Sequence, residues 1–153
     1  MEKILKLEEE LTFKSFNSRD ALRLGQIVME MSKEMNEVVA MEIYYNSRPV
    51  FLYIPDGLSP DKADWLRRKR NSVIYFGHST SYVNLKCKGD DQNLVVKYAR
   101  KLKDYTCTLG SMPISIDGLG VIGAATVTGL KPEEDQNLIA ECLKRLKEEK
   151  CHE

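Results

Sequence analysis

Apolar residues recur at helical spacing in three stretches of the chain. Ala21, Leu24, Val28, Met31 and Met35 form one stripe, which predicts an amphipathic helix running to about Asn36. Asn17 or Ser18 supplies its cap, and Asp20 places a negative charge at its electropositive start. Gly25 sits on that stripe and leaves room for a neighbouring backbone. A second helix is opened by Ser59-Pro60-Asp61, with Ser59 as cap and Pro60 in the first turn. It continues to about Phe76, and Trp65, Lys69, Val73 and Phe76 share a face. The third starts at Pro132-Glu133-Glu134-Asp135 and carries Leu138, Ile139, Cys142, Leu143 and Leu146 on one side. Its Lys144, Arg145 and Lys147 suit the negative end. A short helix over 2–10 precedes them all.

Other stretches alternate or run in β-branched and aromatic residues. Leu11 to Phe16 alternates large apolar with small polar side chains and reads as a half-buried strand. Val38 to Tyr45 and Pro49 to Pro55 read as a hairpin turning at Asn46-Ser47-Arg48. Met112 to Ile116 and Val121 to Val127 read as a second hairpin, with Asp117-Gly118 as its two-residue turn. Residues 79–94 give no clear pattern, and Leu94 to Leu102 reads as helical. Five strands interleaved with helices predict an α+β domain in α/β/α layers, a five-stranded antiparallel sheet with helices on both faces.

Length and composition fit one globular domain over 1–153, with the helix at 2–10 and the tail at 148–153 peripheral: 42% of residues are hydrophobic and 30% charged. The formal net charge is zero, which offers neither the basic surface that nucleic acid requires nor steering toward an anionic membrane. No segment approaches the ~20 apolar residues of a membrane span. The start of the chain, with Glu8-Glu9-Glu10 close behind Met1, lacks the apolar core of a signal peptide, so a cytoplasmic location is expected. Cys87, Cys107, Cys142 and Cys151 form no C-x-x-C pair and read as reduced thiols.

Chemistry concentrates in few places. Within Trp65-Leu66-Arg67-Arg68-Lys69-Arg70, four consecutive cations spread around the helix, yet Lys69 falls on the apolar stripe. An ammonium there must snorkel, find an anionic partner in the protein, or receive an anion in a cleft. Lys69 and its neighbour Arg70 are therefore candidate ligand-binding residues, and a small anionic molecule is the candidate ligand. His78 is a further candidate ligand-binding residue: it reads as a structural histidine, or as a metal or haem-iron ligand or a proton shuttle, and no second histidine supports a metal site in the folded body. The backbone amides of Gly110-Ser111, ahead of Met112-Pro113, are a candidate anion nest. No nucleophile elbow, kinase set, P-loop or dinucleotide fingerprint is present.

The order Gly110-Ser111-Met112-Pro113-Ile114, Gly120-Val121-Ile122-Gly123-Ala124, Val127-Thr128-Gly129-Leu130 and Asp135 resembles the haem-degrading-domain superfamily, also called GlcG/HbpS-like. Trp65 to Asn71 followed by Phe76-Gly77 and Ser79 is similar to its small single-domain branch. Ser111 stands where that family often has glycine, and Thr128 where it has serine. The resemblance implies a profilin-like fold and a homo-oligomer, with haem a possible cofactor among members. The function expected is a small-ligand-binding domain with no evident catalytic apparatus. A haem- or iron-handling protein or enzyme and an interaction scaffold are the alternatives.

Overall fold

The computed structural model describes residues 1–152. Its elements are α1 (Glu2–Glu10), α2 (Ser18–Glu34), β1 (Ala40–Tyr45), β2 (Arg48–Tyr53), α3 (Lys62–Phe76), α4 (Thr80–Lys86), α5 (Gln92–Tyr98), β3 (Ser111–Ile116), β4 (Gly120–Thr128) and α6 (Pro132–Cys151). The strands make one antiparallel sheet in the order β2-β1-β4-β3. Asn46 and Ser47 turn the first hairpin with φ of 53° and 65°, values matched to the twist of the flanking strands.

The sheet has two unlike faces. Met41, Ile43, Met112, Ile114, Ala125 and Val127 meet Leu24, Ile27 and Val28 of α2 and Leu138, Ile139 and Leu143 of α6 in the main core. Each of the larger side chains, Ala125 excepted, contributes roughly 1.5–3 kcal/mol on leaving water. The alternate positions carry Glu42, Thr126 and Ser111 in one row across β1, β4 and β3, all buried. Helix α3 packs on that polar face. A smaller cluster of Val83, Cys87, Leu94 and Cys107 lies under α4 and α5.

The expected fifth strand is corrected. Leu11–Phe16 contributes only one parallel bridge, Phe13 to Ile116. Phe13 N donates to Ser115 O and Asp117 N to Phe13 O, each at 2.9 Å. The segment is short because α1 ends at Glu10 and α2 begins at Ser18. Its aromatic residues are three apart rather than two, and Phe13 stacks edge-on against Phe16 at 5.3 Å. Among the described residues four strands therefore stand where the pattern predicts five.

Smaller differences have equally local causes. The β3–β4 loop has three residues, with Ile116 opposite Gly120 and a bulge between Ile114 and Ser115. Gly25 accommodates not a backbone but the ring of Phe51; a Cβ there would lie 2.5 Å from its Cγ. Ser59 and Pro60 form a turn before α3, whose first residue is Lys62. Ser79 caps α4 by accepting from Tyr82 N at 3.3 Å. Helix α5 ends at Tyr98, ahead of Ala99 at φ 55°, so the helix expected through Leu102 stops early. Among the described residues no helix is long and apolar enough to cross a membrane.

Candidate functional site

Helix α3 presents Leu66, Lys69, Ser72 and Val73 to the sheet. The buried stripe is thus turned from the predicted Trp65-led face, and Lys69 lies at its centre, 1% exposed. Its ammonium does not snorkel. Nζ donates to Val127 O at 3.1 Å and to Asp135 Oδ2 at 3.4 Å. Asp135, in the first turn of α6, accepts from Leu130 N through Oδ1 at 3.1 Å. Burial lowers the basicity of Lys69 despite the attraction of Asp135. Burial also pushes the Asp135 carboxyl up to about 6, against the pull of Lys69 and the Leu130 amide.

The pair opens onto a cleft of about 160 Å³ whose walls include Lys62, Trp65, Thr108, Thr128 and Gly129. Gly110 lies against the lysine: a Cβ there would stand 2.6 Å from Lys69 Nζ and 2.6 Å from Val127 O, at φ 136°. Only glycine fits without strain. The amide nest expected at Gly110-Ser111 is already filled. Gly110 N donates to Thr80 Oγ1 at 3.0 Å and Gln136 Oε1 at 2.7 Å, and Ser111 N to Thr80 Oγ1 at 3.0 Å. The Ser111 hydroxyl is 2.8 Å from that of Thr126.

The structure brings Lys69, Gly110 and Ser111 into one neighbourhood and holds the other candidates elsewhere. Arg70 Nε donates to Glu42 Oε1 at 2.9 Å, and its guanidinium lies 4.2 Å from the Tyr44 ring centre. That places it over the polar sheet face as a paired cation. His78 Nδ1 is 2.7 Å from Glu8 Oε1, and its ring stacks on Tyr82 at 3.9 Å. Glu8 also accepts from Ser79 N and Oγ, so His78 ties α1 to the start of α4. A larger opening of about 460 Å³, between α1 and α6, is lined by Leu7, Leu11, Ala140 and Lys144 among others and by none of the predicted residues. Among the described residues no group of three His, Cys, Asp or Glu side chains could hold a metal ion.

Asp135, Lys62, Thr80 and Gln136 belong to the same neighbourhood, and no motif in the sequence marks them as ligand residues. Asp135 carried a signal: it lies three and four residues before Leu138 and Ile139, on an apolar stripe. A lone acid on one stripe and a lone lysine on another are candidates to meet.

The model of the haem-degrading-protein family HbpS-like matches residues 16–144. A UPF0303 protein of Azotobacter vinelandii (strain DJ / ATCC BAA-1303) is 34% identical over 153 residues, covering 100% of this chain and 92% of that protein. A UPF0303 protein of Rhizobium etli (strain CIAT 652) is 37% identical over 143 residues, covering 94% and 87%. The crystal structure of Ybr137w protein superposes with a TM-score of 0.85 at 26% identity, over 95% of this chain and 87% of that one. The PduOC:heme complex has the same fold, with a TM-score of 0.70 at 13% identity over 86% and 94%.

Proposed function

This chain belongs to the HbpS-like family of haem-degrading proteins, and we propose that it is a small-ligand-binding domain whose cleft between α3 and the start of α6 takes a small anionic molecule. One observation carries the reading: the buried Lys69–Asp135 pair forms part of the wall of an open cleft. A buried ion pair adds little net stability compared with apolar packing, and perturbed ionisable groups gather at functional sites. Lys62 lines the same cleft, so two cations face one carboxylate there. The positive end of α6 adds to that balance. At about 30 Å³ per water, the volume of about 160 Å³ suits a molecule of a few heavy atoms.

The test is a thermal-shift and calorimetric screen with small mono- and dicarboxylates. A ligand that binds only the folded chain raises the melting temperature. We expect a shift that Lys62→Gln weakens. Wild-type protein that no such acid stabilises at millimolar concentration would end the reading.

The haem complex of a structural neighbour and the family itself support a second reading, a haem-handling role. The cleft does not fit that group. Its walls contain no histidine, cysteine, methionine or tyrosine, the side chains that hold haem iron axially, and pockets for large ligands exceed roughly 300 Å³. The imidazole of His78 is engaged by Glu8 and Tyr82. Assembly as a homo-oligomer forms part of the proposal: β2 is an edge strand, and its Leu52 and Tyr53 are 53% and 44% exposed. Light scattering at micromolar concentration tests it, and a mass of 17.5 kDa would refute it.

A further inference from the structure

We propose that Lys69 is a nucleophilic amine that forms a reversible imine with a small 2-oxo acid held in the cleft. The inference rests on the cleft reading above and adds a covalent step to it.

The choice of residue type points this way. Arg67, Arg68 and Arg70 surround Lys69 in sequence. Arg67 pairs with Asp64 and Asp104, and Arg70 with Glu42. Arginine's fork suits a fixed carboxylate partner better than an ammonium does, and it never sheds its proton. Yet the fully buried position of the run is the lysine, the one cation of the four that can become a free amine. Its contact with Asp135, at 3.4 Å, is long for a charge-assisted bond, which is typically about 2.7–2.9 Å. The amine is thus placed beside a proton acceptor without being clamped by it. Desolvation and a neighbouring cation, here Lys62, are the two means by which a lysine is made nucleophilic near neutral pH. Lys62 also supplies a charge for the substrate carboxylate, and the small cleft limits the rest of the molecule to a few atoms.

The chemistry closes on these groups alone. A proton moves from Nζ to Asp135 Oδ2. The freed lone pair attacks the oxo carbon, forming the C–N bond, and the carbonyl π electrons pass to oxygen, which takes the proton back from Asp135. Asp135 then removes a proton from nitrogen and delivers it to the hydroxyl, which leaves as water while the nitrogen lone pair forms the C=N bond. The sum is ammonium plus ketone giving iminium plus water, with Asp135 returned as carboxylate.

The test is incubation of the intact protein with pyruvate and cyanoborohydride, which reduces an imine to a stable secondary amine, followed by peptide mapping. Labelling should saturate with pyruvate and fall on Lys69 in preference to every other lysine, as desolvation and the neighbouring Lys62 lower the basicity of this amine. In Lys69→Arg the preferred site should disappear, leaving Lys62 of the same helix at the level of the other lysines, and labelling should slow in Asp135→Asn. Labelling spread evenly over the lysines overturns the proposal. Mapping the wild type alone decides this, so a poorly folding variant does not obscure it. Lactate, which has the carboxylate but no oxo group, separates the two readings. If lactate and pyruvate both raise the melting temperature and Lys69 is not labelled, the imine fails and the anion cleft stands. If neither stabilises and Lys69 is not labelled, both fail.

Discussion

Lys69 Nζ and Asp135 Oδ2 lie 3.4 Å apart, and each side chain is 2% exposed. Neither charge is solvated, so each is tolerated because the other is present. Removing one partner leaves an uncompensated buried charge, at a cost of about 3–5 kcal/mol. Removing both charges together should cost less. We expect Lys69→Met and Asp135→Asn to destabilise strongly alone, and the double variant to lose less than their sum. Urea unfolding of the four proteins measures this, and strictly additive losses would show that the two residues are not coupled.

The same pair gives stability a distinctive pH dependence. Asp135 has its carboxyl raised from 3.8 to about 6, so between those values the folded state holds a proton that the unfolded state has released. Stability then falls as pH rises through this window, by up to about 3 kcal/mol at 1.36 kcal/mol per unit. Lys69 is lowered; its contribution runs the other way at alkaline pH, where stability recovers as the unfolded lysine alone retains its proton. Asp104 and Glu149, held low by Arg67 and Arg23, lose their stabilising effect on acidification and partly mask the acid limb. The informative quantity is therefore the difference between wild type and Asp135→Asn from pH 4 to 7. A flat difference would contradict the assignment.

Gly110→Ala should be far worse than Gly118→Ala. At Gly118 a Cβ meets nothing within 4 Å, although φ is 79°, so only the left-handed backbone cost of about 1–2 kcal/mol applies. At Gly110 the Cβ would collide with Lys69 Nζ and the Val127 carbonyl. The crowding adds roughly 1–3 kcal/mol to a backbone cost of about the same size. Thermal unfolding compares them directly, at about 2–4 °C per kcal/mol for a chain of this length. Equal losses would mean that both Lys69 and the Val127 carbonyl give way.

Much of this architecture was legible because α2 and α6 carry one-sided apolar stripes, and both hairpins have turn residues that name them; on α3 the buried face is Leu66, Lys69, Ser72 and Val73, turned from the Trp65-led stripe. The sheet count was not. Phe13 looks like a strand residue in an alternating run, but the closeness of two helices allows it a single bridge. Lys69 was legible as a charge on an apolar stripe. Its fate was not, because the partner lies 66 positions away on another helix. Asp135 had a sufficient local explanation, an acid favouring a helix N-terminus, which concealed its second role. The Gly110 amides read as open donors because Thr80 and Gln136, which satisfy them, lie at unrelated positions in the sequence. Periodicity reports which way a residue faces; it does not report what faces it.

The four cysteines should separate sharply by reactivity. Cys151 is exposed, whereas Cys87, Cys107 and Cys142 are buried. Burial pushes the Cys107 and Cys142 thiols up to about 12, and the thiolate is the reactive form. A disulfide reagent at neutral pH should titrate one thiol rapidly in the native protein and the rest only in denaturant. More than one fast thiol would place a second cysteine at the surface.

Glu8 holds α1 to the rest of the molecule. No residue of α1 is buried, so apolar packing gives it little hold. Its carboxylate contacts His78 Nδ1 at 2.7 Å and accepts from Ser79 N at 3.1 Å and Ser79 Oγ at 2.9 Å. At its C-terminal end Lys147 Nζ donates to Glu10 O. Glu8→Ala removes three of these contacts at once, while the core of α2, α6 and the sheet is untouched. We expect the amides of residues 2–10 to lose hydrogen-exchange protection, with little change in global unfolding, because elements with few buried contacts open independently. His78→Ala should produce a weaker version, since the Ser79 contacts survive. The comparison is Ile139→Ala, a fully buried core truncation expected to cost about 2–5 kcal/mol globally. If Glu8→Ala destabilises the whole protein to that extent, α1 is part of the cooperative unit and not a separately held helix.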